Sequence, residues 1–134
     1  MNLKMLLINE TKYDYSFINN NIDNENITLD FVHEINDINN FNYDVCFVDK
    51  KESAPRIIDY IKKNIPHSSI YVISDYDNPN TLKTFLKIGI DGFLDKEIMT
   101  NDDITNVINK ELTKKSKIEQ VKNKLFKFSQ ISGT

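Results

Sequence analysis

Asp49 closes an apolar run, "YDVCFV" (43–48), and two lysines, Lys50 and Lys51, follow it. A bland reason for a polar ending is that strands finish in wet loops. Other apolar runs of the chain end in a related way, however. Asn9 and Glu10 follow "LKMLLI" (3–8), Ser74 and Asp75 end "SIYVIS" (69–74) and its sequel, and Lys96 follows "GFLD" (92–95). Three carboxylates, a hydroxyl and an ammonium are more than strand ends usually present, and together they mark a ligand site. Other chemistries lack their residues. His33 and His67 stand outside any ligand cluster, no zinc spacing occurs, and no Cys/His or Ser/His/Asp set is suggested. Cys46, the one cysteine, lies inside an apolar run and reads as a buried structural thiol in a reducing cytoplasm.

Those residues meet only if the elements carrying them are parallel neighbours. The runs named above, with "NITLDFV" (26–32), are rich in branched and aromatic residues and read as strands. Segments with helical spacing separate them. "SAPRIIDYIKKN" offers Ser53 as N-cap and Ile57, Ile58, Ile61 and Ile65 as an inward face. "NPNTLKTFLKIG" offers Asn78 as cap, Pro79 at the first position, Leu82, Phe85 and Leu86 inward, and Gly89 as the stop. "TNDDITNVINKEL" has Thr100 as cap and Ile104, Val107, Ile108 and Leu112 inward. Asparagine weakens two further helices, at "YDYSFINNN" and "HEINDINN". Strand–helix alternation of this kind predicts an α/β fold, a doubly wound five-stranded parallel sheet whose C-terminal strand ends share one ligand-binding edge.

The 134 residues suit one domain with a single core, and no apolar run approaches the length of a membrane span. Charge is uneven. Residues 110–128 hold seven lysines and two glutamates, a net +5, which leaves −8 on residues 1–109 against −3 for the whole chain. An acidic body argues against nucleic-acid binding by the domain itself.

In order and spacing, "LLINE", "YDVCFVD", "IYVISD" and "GIDGFLDK" resemble the receiver domain of two-component response regulators, over roughly residues 3–112. The resemblance implies the flavodoxin-like (βα)5 receiver fold and transfer of a phosphoryl group to Asp49 from a histidine kinase or phosphotransfer protein. It implies Mg2+ held by Glu10, Asp49 and the backbone carbonyl of Lys51, near Asn9, with waters completing the shell. Lys96 would pair with Asp49 and then with the phosphoryl group. Ser74 would bond a phosphoryl oxygen, and Ser74 with Phe93 would form the switch that reports it. Such a domain is a cytoplasmic signalling switch acting on an output domain or effector, not an enzyme of metabolism.

Departures from the family pattern stand beside the likeness. Asn9 and Glu10 replace the usual pair of acids, "KKESAP" replaces the Pro-Gly turn after the acceptor, and Glu97 replaces the proline after the lysine. They favour a second reading, a pseudo-receiver that keeps the fold as an interaction or dimerisation module without phosphorylation. A flavin or nucleotide binder of related fold would need a Gly/Ser/Thr-rich loop where "NETKYDYS" has no glycine. The domain is expected to span residues 1–115, with 116–134 a helical extension or linker. There Ile118, Val121, Leu125 and Phe128 fall at a and d spacing, interrupted upstream by Glu111 and Lys114. That seam predicts a homodimer through the C-terminal helix.

Overall fold

Leu6, Leu7, Ile8 and the whole of Val45–Val48 have no exposed surface. Strands buried on both sides need a layer over each face. The computed structural model describes residues 2–9, 13–49, 53–75 and 79–132, and it shows both layers. Strands β1 (Leu3–Asn9), β2 (Ile27–Val32), β3 (Val45–Asp49), β4 (Ser69–Ser74) and β5 (Gly92–Asp95) form one sheet, ordered β2-β1-β3-β4-β5. Every pairing in it is parallel.

Alternate side chains divide the core. Leu6, Ile8, Cys46, Val48, Ile70 and Val72 pack under α2 (Ala54–Asn64) and α3 (Pro79–Ile88), against Ile57, Ile58, Ile61 and Phe85. Leu3, Met5, Leu7, Val45, Phe47 and Ile73 pack on the other face under α1 (Tyr13–Asn19) and α4 (Asn101–Ser132), against Ile18, Ile104 and Ile108. A period of two in the strands thus places helices on both sides, as a doubly wound sheet requires. Each buried isoleucine of α2 contributes about 1.5–3 kcal/mol on leaving water. Cys46 is buried, and that burial pushes its thiol up to about 11.

Helix ends follow their sequence signals with one exception among the described residues. Thr100 N donates to Asp103 Oδ2 at 2.7 Å and Asp103 N to Thr100 Oγ1 at 3.4 Å, a reciprocal cap on α4. Gly89, at φ 89°, ends α3 in a conformation open to glycine. Ser53 precedes α2 as expected but makes no side-chain capping bond. Asn78, the expected cap of α3, lies outside the described residues.

Three further expectations need correction. "HEINDINN" forms only a 3-10 turn, Ile35–Asp37, without a capping side chain, because its asparagines and lack of a buried face give a full helix too little support. Leu86 is 60% exposed rather than inward. It lies one residue, about 100° of helix, beyond the buried Phe85. The third strand starts at Val45, because Asp44 turns its carboxylate to Lys4 N, 2.9 Å away.

Helix α4 has 32 residues, about 48 Å at 1.5 Å per residue. Among the described side chains its last buried one is Glu111, and residues 117–127 are exposed throughout. The C-terminal half therefore projects past the sheet.

Candidate functional site

The strand period that sorts the core also aims the polar ends. Asn9 lies opposite Asp49 in the parallel register of β1 and β3. Each follows by two a residue of the α1/α4 face, Leu7 and Phe47. Both side chains therefore turn toward that face. Lys96 follows Leu94 by two and turns the same way, with its N–H donating to the carbonyl of Ser74 at 3.0 Å. Across from them stands α1, whose Ile18 is fully buried. Asp14 is four residues earlier on the same helical face, so it too points inward. It is completely buried.

These four side chains form one cluster. Lys96 Nζ donates to Asp49 Oδ2 at 2.9 Å and lies 3.3 Å from Asp14 Oδ2. Asn9 Nδ2 donates to both carboxylates, at 3.0 Å to each. One amide and one ammonium thus hold two acids together. Asp14 Oδ1 is buried with no hydrogen-bond partner.

Burial and the neighbouring Asp14 carboxylate raise the Asp49 pKa to about 7, against the lowering pull of Lys96. Burial alone would lower Lys96, but its contacts with Asp49 and Asp14 outweigh that and hold it above its ordinary value. The ammonium therefore stays charged, and Asp49 titrates near neutrality.

Of the residues expected at this edge, Asp49, Lys96 and Asn9 are in direct contact. Ser74 is buried at the end of β4, but its hydroxyl turns to the carbonyl oxygen of Asp75 at 3.5 Å. It shares the period of Ile70 and Val72 and so belongs to the α2/α3 face. Phe93 packs on that face too, its ring 6.2 Å from that of Phe85. Glu10 and Lys51 lie outside the described residues, and Asp75 is exposed. Asp14 was not among the expected residues. Its signal was the spacing to Ile18 on a short helix, which strand ends do not carry.

A small hard cation suits this donor set. The atoms on offer are oxygens, carboxylates outnumber the ammonium among the described residues, and one carboxylate oxygen is buried without a donor. Among the described residues there is no gathering of three or more His, Cys, Asp or Glu.

By sequence, no protein-family model and no curated protein matches the chain. Its fold, by contrast, has close counterparts among solved structures. A response regulator from Thermotoga maritima superposes with a TM-score of 0.71 at 15% identity, over 84% of this chain and 99% of that one. The isolated REC domain of RcsB from Salmonella enterica serovar Typhimurium, solved with the phosphomimetic BeF3−, gives 0.68 at 21% identity, over 81% and 87%. NtrX from Brucella abortus, in complex with ADP, gives 0.74 at 17% identity and covers all of this chain but 30% of its own. The chain has the receiver fold of response regulators.

Proposed function

We propose that the chain is a response regulator receiver domain whose Asp49 accepts a phosphoryl group from a histidine kinase or phosphotransfer protein. The observation that carries this reading is the 2.9 Å pair of Lys96 with Asp49 at the C-terminal edge of a receiver fold. An Asp49 carboxylate oxygen bonds to phosphorus as the phosphorus–nitrogen bond of the donor phosphohistidine breaks, its electron pair staying on the imidazole. Lys96 then has a phosphoryl oxygen to neutralise as well as the carboxylate, and its fixed charge does so without reorganisation. Glu10, Asp49 and the carbonyl of Lys51, with Asn9 beside them, would hold Mg2+, which when bound supplies the positive charge that phosphate requires. Ser74 and Phe93 report the change on the α2/α3 face, the hydroxyl moving toward phosphate and the ring turning inward behind it.

The domain is a cytoplasmic signalling switch rather than a metabolic enzyme, on this reading. The projecting half of α4 supports a domain of residues 1–115 with an extension beyond. That extension leads toward an output domain or effector, or pairs with a second copy. Pairing is favoured by Ile118, Val121 and Leu125, exposed by 46%, 56% and 63% along one seam. Each would contribute about 1.5–3 kcal/mol if buried. The side chain of Phe128 lies outside the described ones. Light scattering should show a dimer for the full chain that strengthens with salt, as repulsion between basic helices is screened, and a monomer for a chain ending at Lys115. Two monomers at tens of micromolar would end the dimer reading.

A pseudo-receiver is the second reading, and the amide of Asn9 favours it by tying Asp14 and Asp49 together with the chain's own donors. Intact-mass measurement with a small-molecule phosphodonor and Mg2+ separates the two. An adduct absent from Asp49→Asn is the expected result. No adduct under strong donor, with no metal-dependent change, leaves the pseudo-receiver.

A further inference from the structure

We propose that Asp14 is a carboxylate ligand of the cation site, supplying from the first turn of α1 the charge that Asn9 does not provide at the end of β1. The inference deepens the receiver reading and rests on it for the identity of the cation. Asp14 is fully buried, and a buried carboxylate is costly unless its charge and both its oxygens are matched. Among the described residues, the chain matches one oxygen. Asp14 Oδ2 has the Asn9 amide at 3.0 Å and Lys96 at 3.3 Å, but that lysine sits closer to Asp49, at 2.9 Å. Asp14 Oδ1 has no hydrogen-bond partner. An orphaned oxygen on a buried acid, beside a second acid and, among the described residues, with one ammonium between the two, has the chemistry of a cation ligand rather than of a structural acceptor.

Asn9 completes the case. Its amide nitrogen has two hydrogens, and Nδ2 lies 3.0 Å from an oxygen of each carboxylate. A third acid at position 9 would crowd three negative charges around one lysine. The amide at 9 and the acid at 14 are therefore complementary: the charge has moved from strand to helix while staying against Asp49.

Direct cation binding tests this without reference to phosphorylation. Mg2+ titration by calorimetry and tyrosine-sensitised Tb3+ emission are measured on the full chain, Asp14→Asn, Asp49→Asn and the double variant Asn9→Asp/Asp14→Asn. Asp14→Asn is expected to weaken Mg2+ by tenfold or more, since affinity in oxygen sites follows ligand charge. The double variant, with its charge restored at position 9, is expected to recover to within about threefold of the parent. Mg2+ at a concentration near the parent's Kd should raise the unfolding temperature of the parent and of the double variant, and that of Asp14→Asn distinctly less. Unchanged affinity in Asp14→Asn, with binding lost in Asp49→Asn, would remove Asp14 from the site and leave the receiver reading standing. A double variant that folds but does not bind would also overturn the proposal, because loss would then follow packing and not charge. Absence of binding to the parent overturns it as well, and a cation-independent adduct on Asp49 would then show the phosphoacceptor surviving alone.

Discussion

The sheet carries a polar cluster at each end, and the two are matched differently. At the N-terminal edge, Tyr71 donates its hydroxyl to Glu111 at 2.7 Å, Lys114 Nζ donates to Ser69 Oγ at 2.8 Å, and Lys115 Nζ to Asp44 Oδ2 at 3.0 Å. Lys115 pairs with Asp44 there, Glu111 has a hydroxyl donor, and the bonds tie α4 to β4 and to Asp44 just before β3. Among the described residues of the C-terminal edge two carboxylates share one ammonium and one amide, and an oxygen is left over. Burial is similar at the centre of each, with Glu111 4% exposed and Asp14 0%. What differs is completeness. A matched cluster holds an element in place, whereas an unmatched one is stable enough to exist and has capacity for something more.

The largest effect should come from making the unmatched edge worse. Asn9→Asp removes the two amide donors and adds a third acid, so without divalent cation it is expected to cost about 2–4 kcal/mol, in the range for uncompensated buried charge. Urea unfolding with and without Mg2+ measures it. The cost should shrink when Mg2+ is present, and Mg2+ should bind more tightly to the variant than to the parent. Equal affinities would mean that position 9 does not face the cation.

Next in size is damage to the matched edge. Tyr71→Phe leaves Glu111 buried without its hydroxyl donor and should cost about 1–3 kcal/mol. Mg2+ should not change that figure. A loss that Mg2+ repairs would show the two edges to be coupled, and the contrast drawn above would fail.

Acidity distinguishes the edges a third way. Burial and Asp14 raise the folded Asp49 carboxyl to about 7, against the ordinary 3.8 of a free aspartate. The folded chain therefore binds the extra proton between those values, and the resulting stability is full below the lower one and lost as pH rises through the upper. Cation-free chain should thus become less stable from pH 4 to pH 7. Asp49→Asn should abolish the slope and be the more stable protein at pH 7. Because cations compete with the proton, Mg2+ should bind more tightly as pH rises through this window. A flat stability profile for the parent would show that Asp49 is ionised throughout.

How much of this the residues announced depends on the kind of element. Strands β4 and β5 coincide with their apolar runs, since a buried parallel strand is apolar on both faces and stops where burial stops. Asp49, Asn9 and Lys96 were legible for the same reason, as the first polar residues after such runs. Asp14 was not. It stands on a seven-residue helix, "YDYSFIN", where only the i, i+4 relation to Ile18 marks its inward face. That relation acquires meaning once β1 and β3 are known to lie against it. The interruption at Glu111 and Lys114 was visible, but its purpose was not. Tyr71 and Ser69, their partners, lie 40 and 45 residues away in sequence.

The smallest effect is expected at Lys115. Its pair with Asp44 is partly open to water, with side chains 28% and 30% exposed, so geometry and screening both limit it. Lys115→Ala should cost about 0.5–1 kcal/mol, and less at high salt, as for other solvent-accessible pairs. The matched edge has a second route to the same end, because Tyr71–Glu111 and Lys114–Ser69 continue to hold α4. Those bonds fix the helix immediately before its exposed half begins. A small stability loss with an unchanged light-scattering profile is therefore the expected outcome for Lys115→Ala. If that single substitution instead shifts self-association as far as truncation at Lys115 does, the pair sets the direction of the projecting helix, and the N-terminal edge is more than an anchor.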